Sequence, residues 1–512
     1  MLKPTIGLEV HAELNTATKM FCYCKNDPDP VRPNENICPV CMGHPGTLPT
    51  INDEAIKKVI KTGMAVGCRI LPHSKFDRKN YFYPDLPKGY QVSQYDEPLC
   101  ESGSLEVKIL ANVERGEEQY KKTVRVRRIH MEEDTGRLIH PDGADHSLVD
   151  FNRAGVPLME LVTEPDIRSA TEARRFAEEL QLVLRYLNVS YADMEKGQMR
   201  VEANISLSEL KDGKLPDDER ELGIKVEIKN LNSFKAVERA IDYEIKRQAK
   251  ALETGEKIVQ ETRGWDDVKG KTYSQREKEG AKDYRYFPEP DLPPMDHSQE
   301  FLDGIRGQMP ELPEQKRKRF AVEYGLSETE TENFVQDRDL GKYFEKTMSE
   351  LHQWVCDTNG GKELSQDEFL KLTRLASNYL LTDIQGLLSG ESISSPEFLI
   401  TPENFGELIC LIYQGKISSK IAKMVLLDMY DTGADPSQVI EQKGLNQISD
   451  SSEIEEIVKK VIADNPKPVE DYKNGKEASF QFLIGKTMAA SRGKANPDMA
   501  KQALKSVLDG LK

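Results

Sequence analysis

The segment Leu8-Glu9-Val10-His11-Ala12-Glu13-Leu14 alternates apolar and polar side chains at every position. A period of two is typical of a β-strand with one buried face and one polar face. The segments 200–207 and 225–229 repeat this alternation. Residues 1–295 are therefore predicted to form an α+β domain, with an antiparallel sheet at its centre and a few helices around it.

The helical and Pro-rich segments predict how the chain is divided. Ser169 followed by Glu172 has the pattern of a capping box and predicts the start of a helix. The extended, Pro-rich run 286–294 breaks helices and ends the first domain. Beyond it the strand signals nearly vanish, and a composition shift near Thr401-Pro402 divides the remainder. We predict an all-helical connecting domain of residues 296–405 and a small helical tail of residues 406–512.

Composition narrows the class of protein. The chain has 512 residues, of which 38% are hydrophobic, and this length favours two or three domains. Its first residues have no apolar signal region, and it contains no run of eighteen apolar residues. We therefore expect a soluble, cytoplasmic protein without membrane partners. The eight cysteines are expected to be reduced thiols rather than disulfides.

The charge is distributed unevenly along the chain. The formal net charge is -16, which is unusual for a protein that binds nucleic acid over its whole surface. Between Lys467 and Lys512, nine Lys or Arg stand against five Asp or Glu, so this stretch has a net charge of +4 and the rest has -20. The stretch is either a basic arm for nucleic acid or an ordinary solvated helical face.

Four cysteines have the spacing of a metal site. Cys22 and Cys24 are followed, after thirteen residues, by Cys38 and Cys41. Four thiolates can close a tetrahedral zinc site and leave no open position for chemistry, so a structural Zn²⁺ is predicted. The polar, Pro-rich filler between the two pairs has too little apolar content to fold without such a staple. The alternative is four reduced cysteines in a loop.

Polar residues recur on one face of the predicted strands. They are Glu9, His11, Glu202, Asn204, Glu227 and Lys229, and Glu132 and Glu133 end a further strand-like run. Carboxylates provide hard oxygen ligands for Mg²⁺, and nearby Lys or Arg provides positive charge for phosphates, which together suit a magnesium-nucleotide site. The alternative is an ordinary solvated sheet face. The chain has two Gly-Lys-Thr triplets, but both lack the first glycine of a Walker loop, so neither is interpreted as a nucleotide-binding loop.

Aromatic and basic side chains are interleaved in the segment 76–90. Arg78 and Lys79 precede Tyr81, Phe82 and Tyr83. The unpaired bases of a nucleic-acid end can stack on such rings while the cations hold phosphates. The alternative is a Tyr-rich strand and turn packed in the core.

Five segments of the chain carry a family resemblance. They are Ile6-Gly-Leu-Glu-Val-His11, Lys75-Phe-Asp-Arg-Lys-Asn-Tyr-Phe-Tyr-Pro84, His130-Met-Glu-Glu-Asp-Thr-Gly136, Leu148 to Ile167, and Asp283-Tyr-Arg-Tyr-Phe-Pro-Glu-Pro-Asp291. The chain resembles, over essentially its whole length, the B subunit of the glutamine-dependent aspartyl/glutamyl-tRNA amidotransferase. The resemblance implies a cradle-like catalytic domain and a YqeY-type tail domain that binds tRNA.

The resemblance also implies a reaction and partners. The protein would use MgATP to phosphorylate the side-chain carboxylate of Glu on mischarged tRNA(Gln), or of Asp on tRNA(Asn). Ammonia would then attack the acyl phosphate. In the family the ammonia comes from the amidase, which is the A subunit, while the small C subunit is the third member of the heterotrimer. The alternative function is a non-catalytic, zinc-stabilised tRNA-binding scaffold, against which the carboxylates argue because they would repel RNA.

Residue roles implied by the resemblance fall into three groups. The Mg²⁺ cluster is Glu9, His11, Glu132 and Glu133. The remaining catalytic lining is Asp150, Asn152, Glu202, Asn204, Glu227 and Lys229. The expected substrate contacts are Arg78, Lys79, Tyr81 and Arg153.

Overall fold

The computed structural model describes residues 2–111, 118–141, 143–209, 222–277, 284–358, 363–445, 451–491 and 494–510. Arg492 and Lys512 of the predicted basic tail lie outside these ranges. The chain divides into two compact units, Met1–Pro313 and Glu314–Lys512. It is mixed α/β, with a large sheet in the first unit and helices in the second, which confirms the predicted class in outline.

The strands found among the described residues lie in the first unit. They are β1 (Leu2–Glu13), β2 (Arg69–Ile70), β3 (His73–Ser74), β4 (Asp77–Asn80), β5 (Tyr90–Ser93), β6 (Cys100–Ile109), β7 (Tyr120–Glu133), β8 (Arg137–Ile139), β9 (Leu148–Asp150), β10 (Pro157–Thr163), β11 (Met199–Glu209), β12 (Val226–Leu231), β13 (Glu261–Asp266), β14 (Lys271–Glu277), β15 (Phe287–Pro288) and β16 (Met295–Asp296). Nine of them form one sheet in the order β14-β13-β12-β11-β1-β10-β7-β6-β2. Its described neighbours pair antiparallel, except β12 and β13, which are parallel.

The helices follow in chain order. Those of the first unit are α1 (Asp53–Ala65), α2 (Ala170–Tyr186), α3 (Phe234–Thr254) and α4 (Gln299–Arg306). Those of the second are α5 (Pro313–Glu323), α6 (Glu328–Gln336), α7 (Arg338–Thr358), α8 (Gln366–Asn378), α9 (Gln385–Leu388), α10 (Pro402–Tyr413), α11 (Ser419–Thr432), α12 (Pro436–Gln442), α13 (Ser451–Asp464), α14 (Pro466–Lys473), α15 (Glu477–Ala490) and α16 (Pro497–Gly510), with a π-helical turn at Tyr379–Ile384. None of the described helices is long and apolar enough to cross a membrane.

Strand β1 lies at the centre of the sheet, between β10 and β11, and its apolar face belongs to the hydrophobic core. Leu8, Val10 and Ala12 are fully buried and share one core with residues of α1, α2 and α3. Burial of each Leu or Val side chain contributes about 2 kcal/mol. The helices occupy this side of β1, so the alternate side chains Glu9 and His11 face the other side of the sheet.

Of the two hydrogen bonds that make up the predicted capping box, one is present at the start of α2. The hydroxyl of Ser169 accepts a hydrogen bond of 3.1 Å from the amide of Glu172. The Glu172 carboxylate accepts from the amide of Arg168, one residue before the cap, at 2.8 Å. The carboxylate therefore stabilises the turn that leads into the helix rather than closing a capping box.

The described residues of the second unit form two hydrophobic cores. One runs from Phe320 to Leu445 and the other from Ile454 to Leu508. The predicted boundary between residues 405 and 406 falls inside α10, where Phe405 and Leu408 are buried in the first of these cores. The three-domain division remains a prediction, and any cut that isolates the tail is better placed after Leu445.

Candidate functional site

Polar residues of neighbouring strands lie together on the face of the sheet opposite the helices. The pairing register of the strands places them there. His11 stands opposite Glu160 of β10, and Glu160 stands opposite His130 of β7. On the other side, Glu9 stands opposite Glu202 of β11. Directly opposed residues of neighbouring strands point to the same side, so these groups meet.

The first group, which we call the Glu160 cluster, consists of His11, His130, Glu132 and Glu160. The Nε2 atoms of His11 and His130 lie 3.3 Å and 3.2 Å from the same oxygen, Glu160 Oε2. His130 Nε2 also lies 3.5 Å from Glu132 Oε1. One ligand atom each from His11, Glu132 and Glu160 lies within 4.8 Å of the others. The described part of the chain thus presents three possible ligands for one metal ion.

Charges within this cluster stabilise one another. Burial opposes protonation of His130, but Glu160 and Glu132 outweigh it and raise the pKa of His130 to about 9. Burial likewise opposes ionisation of Glu160, but the two histidines hold the pKa of its carboxyl well below the usual range. Burial is also outweighed at Glu132, where Lys79 and His130 lower the pKa to about 2. Both carboxylates are therefore ionised at neutral pH.

The second group, the Glu9 cluster, consists of Glu9, Glu202, Asn204, Glu227 and Lys229. Asn204 Nδ2 donates to Glu9 Oε1 at 2.7 Å, and Lys229 Nζ donates to Glu202 Oε2 at 2.7 Å. The same Lys229 ammonium lies 3.3 Å from Glu227 Oε1. The three carboxylates offer ligand atoms within 4.8 Å of one another.

Mutual repulsion is evident at Glu9. Burial raises the pKa of its carboxyl, and the charges of Glu160 and Glu202 raise it further. The influence of Glu160 shows that the two clusters lie side by side. A cation placed between these carboxylates would remove the repulsion, which is the electrostatic condition for a metal site.

Glu133 is a member of neither cluster. Lys88 Nζ lies 2.5 Å from its carboxylate, and the amide of Val92 donates to it at 2.9 Å. Successive residues of a strand point to opposite faces, so Glu132 and Glu133 cannot face the same ion from regular strand geometry. The four residues expected to bind Mg²⁺ are therefore separated, with His11 and Glu132 in one cluster, Glu9 in the other, and Glu133 in neither.

Asp150 and Asn152 hold the cysteine-bearing loop instead of the carboxylate clusters. Asn152 Oδ1 accepts from the amides of Glu35 and Asn36 at 2.7 Å and 2.9 Å. Asp150 Oδ1 accepts from the amide of Asn34 at 3.0 Å. The structure thus gives these two residues a loop-anchoring contact.

The basic residues expected to contact substrate have carboxylate partners within the chain. Arg78 makes a two-pronged pair with Glu289, at 2.7 Å for each bond. Lys79 Nζ donates to Glu132 Oε1 at 3.4 Å. Arg153 Nε lies 3.5 Å from an oxygen of Asp134. Within the chain, each of these three cations contacts a carboxylate, which it holds in position.

Tyr81 connects the aromatic segment to the Glu160 cluster. Its hydroxyl donates to Gln91 Oε1 at 3.1 Å, and Gln91 Nε2 donates to Glu132 Oε2 at 3.0 Å. Ser93 Oγ also donates to Glu132, at 2.8 Å. The Glu132 carboxylate is therefore oriented by residues of β5 as well as by its own strand.

The four cysteines meet as their spacing predicts. The sulfur atoms of Cys22, Cys24, Cys38 and Cys41 all lie within 4.8 Å of one another. The amide of Cys38 donates to Cys41 Sγ at 3.1 Å, a contact that favours the thiolate. The loop therefore presents a second type of metal-binding group, with sulfur ligands only.

Glu160, the residue that joins two histidines, was not singled out from the sequence as a site residue. It is the one charged side chain in the run 156–163, Val-Pro-Leu-Met-Glu-Leu-Val-Thr. A lone carboxylate in so apolar a strand is costly to bury without partners, and this was the available signal. Lys88 and Gln91 were also missed, because their partners lie more than 40 residues away in sequence.

Two family models match parts of the chain, and similar proteins match nearly all of it. The family model of the GatB/GatE catalytic domain matches residues 4–303, and that of the GatB domain matches residues 366–508. Three similar relatives are each named as the B subunit of aspartyl/glutamyl-tRNA(Asn/Gln) amidotransferase. The protein of Crocosphaera subtropica is 44% identical, over 99% of this chain and 97% of its own. That of Thermotoga maritima is 45% identical, over 99% of both chains, and that of Dehalococcoides mccartyi is 46% identical, over 98% of both.

Proposed function

Because the chain belongs to the GatB family, we propose that it is the B subunit of an aspartyl/glutamyl-tRNA amidotransferase. The enzyme converts Glu-tRNA(Gln) to Gln-tRNA(Gln), Asp-tRNA(Asn) to Asn-tRNA(Asn), or both, at the expense of ATP. The amidase, which is the A subunit, delivers ammonia from glutamine, and the small C subunit is the third member of the heterotrimer. The first unit supplies the cradle-like catalytic domain, and the YqeY-like tail contacts tRNA.

The observation that carries this proposal is the pair of clusters on one sheet face. Opposite ligands of a Mg²⁺ ion stand about 4.2 Å apart, given bonds of about 2.1 Å. The ligand atoms of each cluster lie within 4.8 Å of one another, so both triads fit a divalent cation after small movements. A Mg²⁺ ion bound there would offset the negative charge that develops during phosphoryl transfer.

The chain's own residues prepare this face for an activated carboxylate. A carboxylate is a poor electrophile, whereas an acyl phosphate accepts ammonia readily. Lys229, between Glu202 and Glu227, supplies a fixed positive charge at one end of the site. Lys79 supplies another beside Glu132. Fixed charges of this kind stabilise a transition state without reorganisation.

For the cysteine loop we propose a structural Zn²⁺. In a tetrahedral site with bonds of about 2.3 Å, neighbouring sulfur atoms stand about 3.8 Å apart. The four sulfur atoms, within 4.8 Å of one another, fit this arrangement. Asn152 anchors the loop between the two cysteine pairs from the side. The metal would therefore fix the loop rather than take part in the reaction.

The alternative of a tRNA-binding scaffold does not explain the buried carboxylates. Glu132 is 2% exposed and Glu160 is 7% exposed. A phosphate-binding surface would gain nothing from burying negative charges at a cost of several kcal/mol each. A site for cations accounts for them directly.

The experiment that tests the function uses the chain assembled with its partner proteins. Glu9→Gln keeps the size of the side chain and removes its charge, so we expect loss of phosphorylation and of amidation with free ammonia. Glutamine hydrolysis should continue. Glu244→Gln is the matched control, because Glu244 is fully buried in the same unit but lies in α3, outside both clusters. Amidation with free ammonia at the parental rate in Glu9→Gln would refute the proposed site.

A further inference from the structure

Five tyrosine rings form a continuous row beside the Glu160 cluster. The order along the row is Tyr83, Tyr81, Tyr284, Tyr286 and Tyr95. Neighbouring ring centres are separated by 6.4, 6.0, 5.9 and 4.2 Å in that order. The last pair is stacked, with an angle of 10° between the ring planes. Residues 284–286 are brought to this place by the pairing of β15 with β4.

The row touches the Glu160 cluster at two points. Lys79 Nζ lies 5.4 Å from the centre of the Tyr284 ring and 3.4 Å from Glu132 Oε1. The hydroxyl of Tyr81 reaches the same carboxylate through Gln91. The centre of the row is therefore one side chain away from a proposed metal ligand.

The ends of the row differ from a packed aromatic core. Tyr83 is 54% exposed and Tyr95 is 52% exposed, whereas the three central rings are half-buried. Rings that only filled a core would be covered along the whole row. Exposed faces at both ends leave room for further flat groups to stack.

We propose that this tyrosine row is the surface on which the unpaired bases at the 3′ end of the aminoacyl-tRNA stack. The inference rests on the proposed function, because the amino acid is esterified to the last nucleotide. If its side chain reacts at the carboxylate clusters, the terminal bases must lie next to them. Arg78 and Lys79 make ion pairs with Glu289 and Glu132 within the chain, whereas the two end rings of the row offer exposed faces for stacking.

The test is Tyr95→Leu in the assembled complex. Leucine keeps an apolar side chain and removes the stacking face. Loss of one base–ring stack should raise the KM for aminoacyl-tRNA by about tenfold, within a range of roughly 5- to 140-fold. The kcat at saturating tRNA, the KM for ATP and glutamine hydrolysis should stay unchanged. Tyr95→Phe, which keeps the ring, should restore the parental KM.

Two controls make the result specific. Tyr191 is 65% exposed but is not part of the row, so Tyr191→Leu should leave the KM unchanged. The removed ring is uncharged, so the ratio of variant to parental KM should be the same at low and high salt. An unchanged KM in Tyr95→Leu would overturn the proposed role of the tyrosine row. The proposed function would be unaffected, because the variants of the carboxylate clusters test it separately. Failure of phenylalanine to restore it, or an equal rise in Tyr191→Leu, would also overturn it.

A separate observation concerns Lys19, which is fully buried. Its ammonium donates to the carbonyl oxygens of Ala154, at 2.7 Å, and Phe151, at 3.4 Å. Carbonyl groups are neutral, and none of the described carboxylates lies within ion-pair distance of this ammonium. A buried ammonium requires compensation, because its transfer from water costs several kcal/mol.

The cysteine loop lies next to this side chain. The backbone amide of Lys19 donates to the carbonyl of Cys24 at 3.0 Å. A methyl group added at Gly155 would lie 3.4 Å from Cys41 Cβ, 3.7 Å from Lys19 Cδ and 4.0 Å from Glu133 Oε2. Lys19 and Cys41 therefore border the same point.

From this placement we infer that Lys19 is the counter-charge of the cysteine metal site. Four thiolates around Zn²⁺ carry a net charge of -2, which one ammonium would halve. The inference concerns a positioning role and rests on the zinc proposal. A folded chain that binds no zinc when the metal is supplied would refute the zinc proposal and this role together.

Lys19→Met tests the role without reference to activity. The variant keeps the length of the side chain and removes its charge. Zinc transfer to a chelator should be at least tenfold faster than in the parent. The melting temperature should fall further for the zinc-loaded protein than for the chelated protein. The hydrogen bonds to Ala154 and Phe151 are lost in both forms, whereas the charge of the metal site is present in only one.

Lys58→Met is the matched control. Lys58 is 9% exposed and donates to Asn15 Oδ1 at 2.6 Å and to the carbonyl of Asn188 at 3.1 Å. Its replacement should change the melting temperature equally with and without zinc and should leave zinc transfer at the parental rate. An equal change in both forms of Lys19→Met, or an unchanged rate of zinc transfer, would overturn the inference.

Discussion

Replacement of Glu160 by Gln should reveal how strongly the Glu160 cluster is held by charge. The variant keeps the shape of the side chain but removes the anion that His11 and His130 share. The rise in the pKa of His130 from 6.5 to about 9 corresponds to about 3 kcal/mol, since a tenfold change in an equilibrium constant is worth about 1.4 kcal/mol. Glu160 is the principal cause of the rise, so most of this free energy should be lost. The loss of a partner from a buried ion pair typically costs about 3 to 5 kcal/mol.

The sign of the pH dependence follows from the direction of the pKa change. A histidine with a raised pKa binds its proton more tightly in the folded state. Its contribution to stability is therefore complete below pH 6.5 and is lost as the pH rises through about 9. The difference in the free energy of unfolding between parent and Glu160→Gln should be about 3 kcal/mol near pH 6 and should approach zero near about pH 9.5. Urea unfolding in the presence of a chelator measures it, because bound metal would compete for the same oxygen atoms.

Glu244→Gln controls for the loss of any buried carboxylate. Glu244 is fully buried and is paired with Arg247, at 2.6 Å, and with Arg263, at 3.7 Å. Arginine keeps its proton throughout this pH range, so the destabilisation in this variant should be constant. A difference for Glu160→Gln that does not shrink between about pH 6 and about pH 9.5 would refute the reasoning.

Three further outcomes are expected. Elemental analysis should find one zinc per chain in the parent and markedly less in Cys41→Ser; full occupancy in the variant would contradict the four-sulfur site. A chain that ends at Leu445 should bind mischarged tRNA more weakly, with a salt slope lower by roughly one for each lost phosphate contact, whereas equal slopes would mean that the basic tail is a solvated face. Arg78→Lys should lower the free energy of unfolding by about 1 to 3 kcal/mol, because Lys cannot replace the two-pronged bond to the buried Glu289; unchanged urea unfolding would contradict this.

Local patterns along the sequence were sufficient for the elements themselves. Alternation predicted β1 and the shared face of Glu9 and His11, because side-chain direction in a strand depends only on the period of two. Ser169 was correctly predicted as the cap of α2, since its hydrogen bond spans three residues. The cysteine spacing likewise predicted that four sulfur atoms meet.

Contacts between distant segments could not be predicted in this way. The order of strands beside β1 decides that Glu160 faces His11, and no local pattern specifies which strand pairs with which. Arg78 and Glu289 are 211 residues apart. The Mg²⁺ cluster expected from Glu9, His11, Glu132 and Glu133 stays a prediction, and local alternation alone places Glu132 and Glu133 on opposite faces of their strand. The composition shift that was used to predict a domain boundary likewise falls inside α10 and does not coincide with a gap between hydrophobic cores.

The central claim is that the two carboxylate clusters hold the divalent cations of the reaction. Crystals of the assembled complex grown with Mn²⁺ in place of Mg²⁺ would locate these ions by anomalous scattering. We expect anomalous peaks among His11, Glu132 and Glu160 and among Glu9, Glu202 and Glu227. Peaks that lie elsewhere, with both clusters empty at saturating Mn²⁺ and ATP analogue, would contradict it.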